Sequence, residues 1–320
     1  MLRSALRTVE ELLFSDPGGR GIAPLCVRGE LEQTFSVLKG LRNAEEKEKT
    51  VCILSGFPVP PHFVVENDGP SGTAAIARAA AHLGCASYVV TDERCAAAFS
   101  AALVAGGAKD ATVISLKEGR GREGEVDAEL KRVFGGGACK AVFAIERVGC
   151  NADGRRLSMG GVDVTDVTTN VDAFFSKEVE GGRYKAGLDY QRVGIGDGGN
   201  ELGMGKVRSE VEAHINRGKD IAAVEDCECL LTCGVSNWGG YAIEAMSLLI
   251  KHEGDGKAAM DVFLKDYVER EERVHAALVE EGCIDGIAKG PTKSVDGLPF
   301  DLHMQTIDKI AKAFEGLTNI

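Results

Sequence analysis

Short apolar runs recur along this chain with helical segments between them, and that alternation restricts its fold more than any other feature. Val51-Cys52-Ile53-Leu54-Ser55, Tyr88-Val89-Val90-Thr91, Ala111-Thr112-Val113-Ile114-Ser115 and Lys140 to Ile145 have the length and β-branched content of strands. Ser71 to Leu83, Glu93 to Val104 and Val126 to Val133 carry helical spacing between them. Strands separated by helices pair in parallel, because each crossover returns the chain to the same edge. The expected fold is therefore α/β, a mainly parallel sheet with helices on both faces in a Rossmann-like three-layer arrangement. Residues 1–14 and 29–41 add N-terminal helices around the turn Asp16-Pro17-Gly18-Gly19-Arg20-Gly21, and residues 147–191 are less regular, with one helix-like piece from Val171 to Glu180. The rhythm then returns. A strand is expected at Val193 to Ile195, a helix over Met204 to Arg217, and strands at Ile221-Ala222-Ala223-Val224 and Cys229 to Thr232. Helices follow over Trp238 to His252, Ala258 to Glu281 and Leu302 to Leu317, the last after a turn-rich stretch from Asp285 to Phe300. No repeat or long linker interrupts this, so one domain is expected over 1–320, with an N-terminal helical segment (1–45) and a C-terminal extension (283–320).

Composition narrows the function classes. The net charge is −12 and no basic stripe stands anywhere, which excludes nucleic acid as an expected partner. No apolar run reaches the length of a membrane span. The ten cysteines include no CxxC pair, and Cys227, Cys229 and Cys233 lack zinc spacing, so buried thiols in a reducing compartment are expected, either the cytoplasm or the mitochondrial matrix. Met1 to Arg7 has the charge of a presequence, but Glu10 and Glu11 follow at once and favour a structural helix.

Chemistry concentrates in four segments at expected strand ends. In Gly194-Ile195-Gly196-Asp197-Gly198-Gly199-Asn200-Glu201-Leu202-Gly203-Met204-Gly205-Lys206, six of thirteen residues are glycine. Its Gly194-x-Gly196-x-x-Gly199 matches a dinucleotide fingerprint by letter, yet Asp197 inside the loop would repel a pyrophosphate, so neither nicotinamide nor flavin is expected. Asp197 and Glu201 instead suit a hard divalent cation, Mg or Mn, with Asn200 as a further oxygen donor; alternatively they cap the loop's own amides. Glu66-Asn67-Asp68-Gly69-Pro70-Ser71-Gly72 opens a helix. Glu66 and Asp68 are candidate general bases there, and amides near Ser71 and Gly72 a candidate anion site. Glu146-Arg147 ends a strand, with Arg147 as a candidate carboxylate clamp. Ser236-Asn237-Trp238-Gly239-Gly240 opens another helix, with Asn237 and Trp238 facing a ligand or Ser236 simply capping.

Together these segments resemble the D-glutamate cyclase-like C-terminal domain family, on Gly194 to Lys206, Asp68-Gly69-Pro70-Ser71-Gly72, Ile145-Glu146-Arg147 and Ser236 to Ala242. Asp16 to Gly21 and Ser294-Val295-Asp296-Gly297-Leu298-Pro299 look like its outer landmarks, and Ser71 stands where the family usually has a second proline. Fused members convert D-glutamate to 5-oxo-D-proline and water; the hydro-lyase-like domain that precedes the family there is absent from this chain. The resemblance implies a metal-assisted hydro-lyase acting on a small amino acid, D-glutamate, as a monomer or a homo-oligomer. It puts Glu66, Asp68, Glu146, Asp197 and Glu201 in catalysis, Asp197 and Glu201 on the metal, and Arg147, Asn200, Lys206, Ser71, Gly72 and Asn237 on the substrate. Two other readings stay open, a non-catalytic amino-acid or metal-binding partner of a hydro-lyase and a Mg-dependent phosphatase-like enzyme.

Overall fold

Successive strand residues point to opposite sides of a sheet, and here both sides are apolar. Val51, Ile53, Val89, Phe143 and Ile195 enter one buried cluster, while Cys52, Leu54, Val90, Val142 and Leu230 enter another. A sheet apolar on both faces must be covered on both, which requires three layers. The computed structural model describes residues 1–46, 49–135, 139–176 and 190–318, and it has that architecture. Strands β1 (Thr50–Gly56), β2 (Ala86–Asp92), β3 (Thr112–Leu116), β4 (Cys139–Arg147), β5 (Gln191–Gly196) and β6 (Cys229–Thr232) form one six-stranded sheet, parallel at every pairing. Their spatial order is β3-β2-β1-β4-β5-β6. The order reverses between β1 and β4, which opens a crevice beyond the carboxyl ends of those strands.

One face carries α1 (Leu2–Leu13), α2 (Glu30–Asn43), α3 (Pro70–His82), α4 (Glu93–Ala105) and the C-terminal helices. The other carries α5 (Glu123–Phe134), α6 (Asp172–Phe175), α7 (Arg208–His214) and α8 (Gly218–Ile221). The C-terminal helices are α9 (Ser236–Lys251), α10 (Gly256–Leu264), α11 (Tyr267–Glu280) and α12 (Phe300–Glu315). Helices α3 and α9 touch backbone to backbone, since a Cβ on Gly240 would lie 2.5 Å from Gly72 Cα. Only glycine permits that approach, and it draws two helix N-termini together at the crevice.

The expected strand at Ile221 to Val224 does not form. Ile221 ends α8, and the donors of Ala223 and Val224 go to the carbonyls of Gly199 and Cys150 (3.1 and 2.9 Å) rather than to a sheet. Four apolar residues have no periodicity that could have separated these outcomes. The single helix expected over Ala258 to Glu281 is two, broken at Lys265-Asp266, where Asp266 takes φ 54°. Met204 to Arg217 divides into a 3₁₀ turn (Met204–Val207) and α7. Of the piece expected from Val171 to Glu180, α6 occupies Asp172–Phe175, and residues 177–180 lie outside the described residues.

Candidate functional site

Each candidate segment stands at a strand's carboxyl end, and local structure aims its side chain. At the end of β4 the pairing with β1 slips: Ser55 faces Ile145 and Gly56 faces Arg147, leaving Glu146 as an extra residue. Such a bulge re-aims a side chain. Glu146 takes φ 42°, a conformation that costs a non-glycine residue energy and is kept where the surroundings impose it. Its carboxylate accepts Ser236 Oγ at 2.6 Å.

Asp68 and Asn237 cap each other's helices. Asp68 accepts the first amides of α9, Ser236 N at 2.8 Å and Asn237 N at 2.9 Å. Asn237 Oδ1 accepts Gly69 N at 3.0 Å and Gly72 N at 2.6 Å at the start of α3. Neither helix caps itself, so each N-terminus, which favours an acceptor oxygen, draws it from the other segment.

The glycine run turns back on itself through Glu201, whose carboxylate accepts Asp197 N (3.1 Å), Gly198 N (2.8 Å) and Gly199 N (2.6 Å). These are the amides a pyrophosphate would need. With Glu201 tied down, Asp197 projects from the loop. Asp68, Glu146 and Asp197 each present an oxygen within 4.8 Å of the others, all three buried.

The counter-charge comes from Arg20. It bridges Asp197 and Asp296, the latter at 2.5 Å. Asp16 positions it by accepting Arg20 N and Gly21 N at 2.9 and 2.8 Å. Asp296 sits at φ 55° in the tight turn between Ser294–Val295 and Leu298–Pro299. Asp285 holds the loop below it, accepting Ile287 N, Ala288 N and Gly297 N together with Ser294 Oγ. Glu66 packs against Gly286, where any Cβ would collide with its Oε1.

Arg20, Glu66, Glu146, Asp197, Asn200 and Lys289 line a cavity of about 460 Å³ that opens between these loops. Burial raises the pKa of Glu66, Asp68, Glu146 and Asp197 well above the ordinary carboxylate range. Mutual repulsion adds to this: Asp296 and Asp68 act on Glu66, and Glu201 and Asp68 on Glu146. Arg20 pulls Asp197 the other way. Burial works against the charge of Arg20, yet Asp197, Asp296, Glu146 and Glu66 outweigh it and keep the guanidinium protonated. Crowded buried carboxyls of this kind share protons instead of all ionising. Three hard oxygen donors at this spacing also fit a divalent cation, and Asn200 Oδ1, buried on the cavity wall with no partner, fits as a further donor.

Of the residues singled out in the sequence, Glu66, Asp68, Glu146, Asp197 and Asn200 come together here. Glu201 clamps the loop and lies outside the group of three metal-capable carboxylates. Arg147 is wholly buried, with its fork on Asp92 (2.5 and 3.0 Å) and on the carbonyls of Thr169 and Gly56, so it does not face the cavity as a substrate clamp. Lys206 is held by both oxygens of Glu30 (2.8 and 2.7 Å) and by Glu228 O. Gly72 N is not a free anion site, because Asn237 Oδ1 occupies it, and Thr73 N bonds Gly69 O. Ser71 is buried at the start of α3, and Trp238 donates to His303 Nδ1 at 3.0 Å away from the cavity lining. Arg20, Asp296 and Lys289 were not singled out as site residues; Arg20 and Asp296 sit in turn segments that the sequence marked only as outer landmarks of the resemblance.

A doubly wound parallel sheet whose crevice holds a cavity lined by buried carboxyls and an arginine defines an α/β protein of the kind that places its ligands at the carboxyl ends of its strands. The chain belongs to the D-glutamate cyclase-like C-terminal family, whose model matches residues 9–311. It is similar to the human mitochondrial D-glutamate cyclase, 29% identical over 334 residues that cover 95% of this chain and 51% of that protein. The chain thus spans about half the length of that relative. Among the described residues no helix is long and apolar enough to cross a membrane.

Proposed function

We propose that this chain is a carbon–oxygen lyase that closes D-glutamate to 5-oxo-D-proline with loss of water, working in a reducing compartment such as the mitochondrial matrix. The observation that carries the proposal is the group of carboxyls with raised pKa sharing one cavity with Arg20.

The reaction is proton-neutral. Two protons leave the ammonium nitrogen, the nitrogen bonds the γ-carbon, and both protons depart with a γ-oxygen as water. A catalyst must therefore accept protons at one atom and deliver them a few ångströms away. Carboxyls with pKa values raised above the ordinary carboxylate range can do both. Glu66, which lines the cavity, is assigned to take protons from the ammonium nitrogen and to deliver them to the departing oxygen. Asp68 keeps α9 and the bulged Glu146 in register. Arg20, with Lys289 also in the cavity lining, holds the substrate's carboxylates and orients the chain for ring closure. Asp68, Glu146 and Asp197, with Asn200 beside them, would hold a Mg or Mn ion; when bound, it supplies polarisation of the γ-carboxyl.

The test is chromatographic detection of 5-oxoproline from D-glutamate with the purified full chain and with Asp197→Asn. Turnover in the wild type and at least a hundredfold loss in a folded variant is expected. Undiminished turnover in the variant would refute the assignment. The 51% coverage of the relative favours a second reading, in which this chain binds the amino acid and a separate hydro-lyase-like partner completes the chemistry. Calorimetric D-glutamate binding without turnover distinguishes it.

A further inference from the structure

The cavity has a second character that free glutamate does not use. Its lining also carries an apolar wall of Phe57, Val59, Pro60, Met159, Val162 and Ile287. Two of these are left open to solvent, Val162 at 43% and Ile287 at 60% exposure. Large apolar side chains exposed together beside a polar site are the informative kind of surface, because they gain most when a ligand covers them. Glutamate has two methylene groups between three charged groups, too little apolar surface for that wall. A space of about 460 Å³ also lies in the range that encloses drug-sized ligands.

Resting on the cyclisation reading above, we propose that the preferred substrate class is a γ-glutamyl amide whose amine portion is apolar. Ring closure requires the α-amine and the γ-carbonyl, so a substituent is tolerated as the group that leaves the γ-carbon. The α-carboxylate then pairs with Arg20 or Lys289, and the amine portion lies on Val162, Met159 and Ile287. The step balances without a co-reactant. The α-nitrogen loses two protons and bonds the γ-carbon, the amide C–N bond breaks, and the departing amine takes both protons and leaves as an ammonium ion. The proton traffic matches that of water loss, so the same carboxyls serve.

The experiment compares kcat/KM of the full chain for D-γ-glutamyl benzylamide, D-γ-glutamyl methylamide and D-glutamate, reading 5-oxoproline and released amine by chromatography. The benzylamide is expected to exceed the methylamide at least tenfold. Ile287→Ser, at a position 60% exposed, is expected to lower that ratio severalfold. Cyclisation of D-glutamate with no reaction of either amide overturns the substrate class and leaves the cyclase reading standing. Equal rates for the two amides overturn the role of the apolar wall. Turnover of the amides but not of D-glutamate supports the substrate class and removes water loss as the reaction. No 5-oxoproline from any of the three overturns both.

Discussion

Replacing Glu201 with glutamine separates a loop clamp from a metal ligand. In the structure its two oxygens accept three buried amides, at 3.1, 2.8 and 2.6 Å. Glutamine offers one acceptor oxygen and one amide group. In its better orientation it keeps Asp197 N and Gly198 N and turns a donor toward Gly199 N. One charge-assisted hydrogen bond is lost, about 1.5–3 kcal/mol, and a buried N–H is stranded at a further cost of about 1–3 kcal/mol. Removing the charge relieves repulsion on Glu146, which offsets part of this. The net expectation is a loss of about 2–4 kcal/mol, measured as a lower denaturant midpoint with an unchanged slope. Manganese affinity, followed by calorimetry on the folded variant, should change less than threefold. A variant as stable as the wild type that binds manganese tenfold more weakly would refute the clamp and restore Glu201 as a ligand.

Other consequences can be measured directly. Carboxyls whose folded pKa is raised hold protons that the unfolded chain has released, so stability falls as pH rises above about 4 until the folded values are passed. His275 and His303, whose burial lowers their pKa, contribute the opposite slope below about pH 6.5, and Glu244 (lowered to about 2) and Asp285 do so only at acid pH. Above about pH 6.5, where the histidine contribution is complete, any pH dependence of the denaturation midpoint below the thiol range should be a decline, shallower in Asp197→Asn; a midpoint that climbs with pH there contradicts the shared-proton picture. Asn237→Ala strands Gly72 N, while Gly69 N keeps Asp68 Oδ1, and should cost about 1–3 kcal/mol, whereas Asn237→Asp, placed among Asp68 and Glu146, should be less destabilised at pH 5 than at pH 8. Lys206→Met leaves Glu30 buried without its cation, at a cost of about 3–5 kcal/mol in chemical denaturation. Substrate KM should move less than twofold, and a large KM change would return Lys206 to the site.

The layer architecture was legible because it rests on period. Strands apolar at both parities and helices between them leave few alternatives to a covered parallel sheet. The errors came where period is uninformative, in the four residues from Ile221 to Val224 and at Asp266, which breaks a helix with neither glycine nor proline to mark it. The site was legible by residue type and by strand-end position, which brought Glu66, Asp68, Glu146 and Asp197 together. What each polar residue does depends on partners far away in the chain. Asp92 claims Arg147, Glu30 claims Lys206, and the bulge that turns Glu146 exists only in the register of β4 against β1. Arg20 was hidden for the same reason, since its two acids lie at 197 and 296.

That guanidinium ties the two ends of the chain to its middle. The segment at Arg20 precedes the first strand, Asp197 follows the fifth, and the turn at Asp296 comes after the sheet is complete. Docking of either end therefore shares a free-energy cycle with occupancy of the cavity between them. A ligand that engages Asp197 must therefore change amide hydrogen exchange in the terminal segments, and loosening either segment must change that ligand's affinity by the matching factor.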